Sequence, residues 1–219
     1  MFTFSDYTSS LFYNCLMSTE RVLIGVVFAS LIGIALGMLR SRLPYKLKKN
    51  VFLKLLIELP KYPPPIAWIP FVILLAGIGN LSAWLIVFIG AFPPIFTNAY
   101  EAVNHIHPNI IHTADSLEIK GIKRLWKIIL PCALPQFLIG IRIGAGMGWM
   151  SVIAAEMVSG QSGLGYSIQM NRLNLQYNLM IYDMIAIGII GFILHEGLKL
   201  LEYKLVPWHF HFYKNREAK

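Results

Sequence analysis

Three ionisable side chains that stand near apolar sequence could take part in acid–base chemistry: Glu156, Asp183 and His195. General acid–base catalysis needs such a group within hydrogen-bond reach of a reacting atom, and covalent catalysis adds a nucleophile beside a base. No nucleophile and base occur at a recognisable spacing around these residues, so a membrane-embedded enzyme is an alternative and not the leading interpretation. Glu156 has no second carboxylate at a defined spacing, which favours a gate or a receptor contact.

Arg142 is the only Asp, Glu, Lys or Arg between residues 128 and 155. A cation near the bilayer midplane costs at least about 2.5 kcal/mol on insertion scales, so its side chain must face protein or water. Two roles are open: charge compensation for an anion that crosses the membrane, or a structural ion pair. The candidate partners for such a pair are Glu58, Glu101 and Glu156, and the candidate solute path groups Arg142 with Trp149, Ser151 and Glu156.

The histidines and glycines do not indicate a metal or nucleotide site. Two H-x-H pairs, at residues 105–107 and 209–211, have no Cys or carboxylate to complete a tetrahedral metal set, and interfacial anchoring is the better interpretation. The glycine-rich run 160–165 contains no lysine, and no G-x-x-x-x-G-K-[ST] motif occurs in the chain. We therefore expect no metal and no cofactor.

Composition places the 219-residue chain in a membrane. Hydrophobic residues make up 56% of it and charged residues 14%, with a mean hydropathy of +0.60. The net charge of +8 could suggest nucleic acid, but the basic residues gather in three short stretches, 40–49, 120–127 and 199–219, beside apolar segments. That placement is typical of loops on the cytoplasmic face, so the expected surroundings are a lipid bilayer and not nucleic acid.

The apolar pattern predicts an all-α membrane protein, a polytopic bundle of about five transmembrane helices. The spans are 22–39, a proline-broken segment over 50–79, 82–100, 135–155 and 179–205. Residues 1–19 are expected to form an N-terminal interfacial segment, 20–208 the transmembrane domain and 209–219 a cytoplasmic tail. The basic stretches place the N-terminus outside and the C-terminus inside. Small residues at 25, 29, 33 and 37 predict one helix face that approaches a neighbour closely.

A polar stretch over residues 101–135 separates two of these apolar regions. Ile110, Ala114, Leu117 and Gly121 are spaced by three and four, which predicts a short helix with one apolar face near residues 108–120. Too short to cross a membrane, such a helix suits docking on a partner. The alternative is a solvated basic loop that only orients the protein.

This stretch resembles the EAA loop of bacterial ABC-importer permeases. In that loop Glu-Ala-Ala is followed by Gly and then by Ile-x-Leu-Pro, and here Ala114, Ile128, Leu130 and Pro131 match, while His112 stands in place of Glu and Glu118 in place of Gly. The runs ELPKYPPPIAWIPFVILLAGIG, LPCALPQFLIGIRIGAGMGWMSVIAAEMVSGQSGLGY and GFILHEGLKLLEYKLVPW also resemble the nitrate, sulfonate, taurine and bicarbonate permeases. The similarity covers most of residues 20–208.

The resemblance implies a MetI-like permease fold in a multi-pass protein of the bacterial inner membrane. It implies a homodimer that passes a small anionic solute such as nitrate, a sulfonate or bicarbonate, with an extracytoplasmic solute-binding protein and two copies of a separate cytoplasmic ATPase as partners. The implied coupling loop is 101–131, and its contact residues are Ala114, Leu117, Glu118, Gly121, Leu130 and Pro131. Members usually begin with a further transmembrane helix, which we expect this chain to lack. An adaptor that recruits an ATPase without transport remains an alternative beside the enzyme.

Overall fold

The computed structural model describes residues 4–44 and 62–208, with side chains from residue 7 onward, and the fold within these ranges is all-α. The helices are α1 (Phe4–Ser41), α2 (Pro65–Ala76), α3 (Asn80–Asn104), α4 (Pro108–Ser116), α5 (Gly121–Ser159), α6 (Leu164–Leu173) and α7 (Tyr177–Leu205). Within α5, the segments Gly121–Arg124 and Leu130–Ser159 are α-helical and Leu125–Ile129 forms a π-helical turn.

Four of the helices are long and apolar enough to cross a membrane: α1, α3, α5 and α7. They contain four of the five predicted spans, which confirms the predicted helical bundle. The fifth, over 50–79, is described only from residue 62 onward, where α2 has 12 residues and is too short to span alone. Residues 50–61 of that span, like the predicted tail at 209–219, lie outside the described residues.

The first helix differs from the expectation that residues 1–19 form a separate segment. Helix α1 runs without a break from Phe4 to Ser41, so the described chain has no boundary near residue 19. Three polar residues on either side of residue 19, Asn14, Ser18 and Arg21, are spaced by four and three and are buried on one face. Because these side chains are hydrogen-bonded inside the protein, the helix can continue through them. An interfacial position for its first turns stays a prediction.

Helix α3 packs between α1 and α5 and carries most of the core contacts. The glycine face of α1 meets α3 as predicted: a Cβ at Gly25 would lie 2.5 Å from Val87 Cγ1, and one at Gly37 would lie 2.8 Å from the Phe96 carbonyl oxygen. Such distances exclude side chains and let the helix backbones approach. The core between the helices is then closed by buried apolar residues, Val22, Val26, Ala29, Val87, Ala91, Ile95, Ala145, Trp149, Val152 and Leu164.

Candidate functional site

Helix α4 lies in the connection between α3 and α5 and is the short helix that the sequence predicted. His107 caps its start, because the His107 Nδ1 atom accepts a hydrogen bond from the Asn109 amide at 3.3 Å, and Pro108 occupies the first turn. Ala114, from the Ala-Ala position of the loop motif, is its one buried residue. The helix is therefore buried at Ala114 and exposes most of its other residues.

The predicted apolar face ends earlier than expected. Helix α4 stops at Ser116, with Leu117 at the C-cap, and the chain then turns through Glu118 and Gly121, whose φ angles are +55° and +63°. Both angles lie in the left-handed region, which favours glycine. Leu117 and Gly121 are therefore not part of one helix face with Ile110. The turn also gives a physical reason for glycine at the position that Glu118 fills here.

The end of the loop nevertheless exposes apolar side chains. Leu117 is 66% exposed, and the apolar side chains of Ile122 and Trp126 at the start of α5 are also exposed. An ion pair between Arg124 and Asp115, 2.9 Å from Nη1 to Oδ1, ties the start of α5 to α4. This loop thus combines a tethered helix with an uncovered apolar and basic surface.

The Leu130–Pro131 end of the motif lies inside helix α5, directly after the π-helical turn. Pro131 has no amide hydrogen to donate, and its ring crowds the carbonyl one turn earlier, so a widened turn can accommodate it. Leu130 is half-buried and Pro131 is exposed. The motif therefore connects the loop directly to a membrane-spanning helix.

Glu156 is the centre of a buried polar cluster at the other end of α5. Its carboxylate accepts hydrogen bonds from Arg21 Nη1 at 2.8 Å, from the Ser18 hydroxyl at 2.8–2.9 Å and from the Gly165 amide at 3.0 Å. Arg21 also donates to the Asn80 and Ser162 side chains and to the Ser162 carbonyl, at 2.7–3.0 Å. The cluster joins α1, α3, α5 and the 160–163 turn.

The glycines after Glu156 are required by this cluster. A Cβ at Gly163, where φ is +109°, would lie 2.3 Å from the Glu156 carboxyl group, and one at Gly165 would lie 2.3 Å from the Ile153 carbonyl oxygen. The Gly163 amide donates to Asn14 Oδ1 at 2.9 Å, and the Leu164 amide donates to the Ser18 hydroxyl at 2.9 Å. The run 160–165 is thus a turn folded over a carboxylate.

Trp149 and Ser151, the other residues of the predicted solute path, lie in the packed interior of the single chain. Trp149 belongs to the buried core, with its indole edge close to Gly191 of α7. Ser151 packs against Gly90 and donates to the Met147 carbonyl at 2.7 Å. Their part in a path stays a prediction.

Arg142 pairs with a carboxylate that the sequence did not suggest. Its Nε lies 3.6 Å from Oε2 of Glu202, which is in the last turn of α7, instead of near Glu101, Glu58 or Glu156. The Glu202 side chain is 5% exposed and the Arg142 side chain 26% exposed. A carboxylate within contact distance favours the structural role for Arg142, although about a quarter of its side chain remains exposed.

A comparison with protein families identifies the group to which this architecture belongs. Residues 23–198 match the model of the binding-protein-dependent transport system inner membrane component. The chain belongs to this family.

Two relatives of this permease are named for a solute. The taurine transport system permease protein TauC of Escherichia coli K12 is 33% identical over 92% of this chain and 72% of its own length. The nitrate import permease protein NrtB of Synechocystis is 30% identical over 87% of this chain and 68% of its own length. A Methanocaldococcus jannaschii protein named as an ABC transporter permease is 39% identical over 92% of this chain and 74% of its own length.

The fold of this permease also matches a solved structure. An inward-facing conformation of the MetNI methionine ABC transporter superposes with a TM-score of 0.72, covering 87% of this chain and 94% of that chain at 19% identity. At this identity the match concerns the fold, and it confirms the MetI-like architecture that the sequence implied.

The enzyme alternative loses its support in this permease, because its relatives are transport proteins and two of its candidate residues, Glu156 and Asp183, are held in hydrogen-bonded clusters. Glu156 is used by the cluster above. The Asp183 carboxylate accepts from the Tyr7 hydroxyl at 3.0 Å, from the Ser167 hydroxyl at 3.0 Å and from Asn171 Nδ2 at 2.6 Å. His195 lies twelve residues further along α7, about 18 Å at 1.5 Å per residue.

Sequence reasoning missed the residues that partner the buried charges of this permease. Asn14 and Ser18 lie in the segment predicted to be interfacial, and Arg21 follows it directly, yet their spacing by four and three on one helix face was a signal that could have found them. Glu202, sixty residues from Arg142 in sequence, had no such signal. Its position in an amphiphilic helix end, LKLLEYKL, is equally typical of a solvated carboxylate.

Proposed function

We propose that this chain is the membrane-spanning subunit of an ATP-binding-cassette importer that works as a homodimer, with a separate cytoplasmic ATPase subunit bound to the loop of each copy. The observation that carries the proposal is the loop itself. In a member of this permease family, a helix fixed by Ala114 is followed by exposed Leu117, Ile122 and Trp126 and by basic residues at its end. An apolar patch with a basic rim is the composition of a protein-docking surface.

The loop is positioned to transmit movement. The Asp115–Arg124 ion pair and the start of α5 connect it to the helix that also carries Arg142 and Glu156. A displacement of the loop would therefore be passed directly to α5, which has 39 residues. In the proposed topology the loop is cytoplasmic, the N-terminus is outside and the C-terminus inside, and an extracytoplasmic solute-binding protein delivers solute to the opposite face.

The proposed solute is a small molecule with a compact oxyanion group. Taurine and nitrate, the solutes in the names of two relatives, carry a sulfonate and a nitrate group respectively. Planar guanidinium groups suit such oxygens, because they can donate two parallel hydrogen bonds. The formal charge of +8 raises the local concentration of anions around the protein as a whole.

The docking proposal is tested by replacing Leu117 with Glu. We expect the variant to insert into membranes like the wild type and to lose the co-purifying ATPase, identified by its mass spectrum and by ATP hydrolysis in the purified complex. A charged residue in an apolar hot spot weakens binding by on the order of thirtyfold, which corresponds to about 2 kcal/mol.

The matched control is Ile78→Glu. Ile78 is an equally exposed apolar residue, 62% against 66%, and lies in the turn before α3. Helix α3 has 25 residues, so this turn is about 37 Å from the loop that follows its other end. An ATPase that remains bound to the Leu117 variant, or is lost from both, contradicts the proposed docking site. An ATPase that binds without solute uptake into proteoliposomes supports the adaptor alternative.

A further inference from the structure

Helix α7 is held at its two ends by carboxylates, which are its only buried residues. The Asp183 end is fully bonded, since Tyr7, Ser167 and Asn171 all donate to it. The Glu202 end is different. Its nearest cation, Arg142 Nε, is 3.6 Å away, and Oε2 has no hydrogen-bond donor within the described part of the chain. One of the two carboxylates is therefore fully hydrogen-bonded and the other is not.

Arg142 is not saturated by this pair. About a quarter of its side chain is uncovered, and no other carboxylate among the described residues forms an ion pair with it. An arginine facing hydrocarbon costs several kcal/mol in insertion or simulation estimates, so the uncovered part must face water or another protein surface. A part of the Arg142 side chain is thus accessible to a ligand.

One turn beyond Arg142, the same face of α5 is open. Gly146 lies four residues along α5 on the same helix face, and a Cβ placed there would meet no atom within 4 Å. By contrast, Gly144 is in contact with Ile95 and with the Ala91 carbonyl. An open position on α5 therefore lies one turn from the partly exposed side chain of Arg142.

We infer that Arg142 is an exchangeable oxyanion site: Glu202 occupies it when the path is empty, and the oxyanion group of the solute displaces Glu202 when the path is loaded. This inference rests on the proposed importer function and specifies the solute contact within it. A planar guanidinium can hold either a carboxylate or an oxyanion in the same two-donor geometry. When the solute takes Arg142, Glu202 loses its cation and the cytoplasmic end of α7 loses its attachment to α5. Loading of the site and release of a helix end are then one event.

The test measures anion affinity in variants of Glu202, the competing carboxylate, and of Arg142, the cation. The full-length chain in lipid nanodiscs is titrated with nitrate or ethanesulfonate, with gluconate added to keep ionic strength constant, and the midpoint of thermal unfolding is followed. We expect Glu202→Gln to bind either anion on the order of tenfold more tightly than the wild type, because the competing carboxylate is gone, which corresponds to about 1.4 kcal/mol. Arg142→Gln should show no saturable response.

Glu196→Gln is the matched control. Glu196 is another carboxylate of α7, and it pairs with Lys199 at 3.3 Å on the exposed side of the helix. Its neutralisation should leave anion affinity at the wild-type value. If Glu202→Gln is too unstable to purify without an anion, Glu202→Asp, which shortens the side chain, should fold and give an affinity between the two.

Three results would overturn the exchange site: equal affinity in the wild type and Glu202→Gln, saturable binding in Arg142→Gln, or no anion response in any variant. The outcome is separable from that of the proposed function. Solute uptake by the ATPase complex without these affinity changes leaves the importer intact and removes the exchange. Anion binding with the expected order of affinities, but without an associated ATPase, supports the exchange site and contradicts the importer function.

Discussion

Glu156 shows how a charged residue at the end of a transmembrane helix can serve the fold. Its carboxylate is 1% exposed and accepts hydrogen bonds from a guanidinium, a hydroxyl and a backbone amide. A buried carboxylate needs such partners, because desolvation otherwise costs several kcal/mol. The gate or receptor contact expected for Glu156 stays a prediction. Any movement at this site must carry the 160–165 turn with it.

The first prediction concerns the Arg21–Glu156 pair. Replacing either residue leaves the other charge buried, so Arg21→Met and Glu156→Leu are each expected to destabilise the protein by about 3–5 kcal/mol. The double variant should cost less than the sum of the two, because neither charge is then stranded. The measurement is the midpoint of thermal unfolding in detergent, compared across the four members of the cycle.

Asp115→Asn is the control for this cycle, since the Asp115–Arg124 pair is of similar length but partly exposed. Its loss should cost no more than about 1 kcal/mol. Comparable shifts for Asp115→Asn and Glu156→Leu would contradict the structural role of the cluster, as would strict additivity in the cycle.

At the scale of single elements, helix α5 has two faces that its sequence does not distinguish. Glycines 140, 144, 146 and 148 look alike in the sequence, but three of them contact α3 and the fourth faces open space. A Cβ at Gly144 would lie 2.9 Å from the Ala91 carbonyl oxygen, a backbone atom that cannot rotate away. The close approach of α3 and α5 therefore depends on Gly144.

The second prediction uses this difference within one helix. Gly144→Ala should destabilise the protein by about 1–3 kcal/mol, the usual cost of overpacking. Gly146→Ala, two residues further along, meets no atom and should leave stability unchanged or slightly raised, because alanine favours the helix. Thermal unfolding of both variants under the same conditions makes the comparison, and equal effects would show that α5 is rotated differently against α3.

The coupling loop is the element in which backbone conformation overrides side-chain pattern. The spacing of Ile110, Ala114, Leu117 and Gly121 is helical, yet the left-handed angles at Glu118 and Gly121 end the helix at Ser116. A periodic pattern identifies the residues that could share a face. It does not show where the last helical turn gives way to a cap.

At the scale of the whole molecule, the loop of α4 and the turn at 160–163 lie at opposite ends of α5. With 39 residues, that helix is about 58 Å long at 1.5 Å per residue, more than the thickness of a bilayer. One end carries the basic loop and the other the Glu156 cluster. The two ends are therefore expected in different aqueous compartments.

The third prediction is this topology, tested in a background without the two cysteines, Cys15 and Cys132. A cysteine in place of the exposed Gln161 should react with a membrane-impermeant maleimide added to intact cells. One in place of the exposed Glu118 should react only after the membrane is opened. Gln161 is chosen because the neighbouring Ser162 hydroxyl is engaged by Arg21. The opposite labelling pattern would place the coupling loop outside and contradict both the orientation and the ATPase proposal.

The class of protein, most of the spans and the position of the loop follow from the amino-acid sequence. Apolar length, the placement of basic residues and the spacing of glycines on α1 are local properties, and they act on the chain wherever its helices finally pack. The loop motif and the flanking runs likewise indicated the family before any contact was known. Even the continuation of α1 through residue 19 was within reach, because Asn14, Ser18 and Arg21 share a helix face.

Which charged residues form pairs depends on the tertiary structure. Arg21 is 135 residues from Glu156, and Arg142 pairs with Glu202 instead of any carboxylate suggested from the sequence. The reason is geometric: helix rotation and the close approach at glycines select which side chains face one another, and a rotation of one residue turns a helix face by about 100°. The same packing brings α3 against Gly144 and leaves no atom within 4 Å of a Cβ at Gly146. It also leaves Arg142 partly uncovered, beside a carboxylate that is held at 3.6 Å.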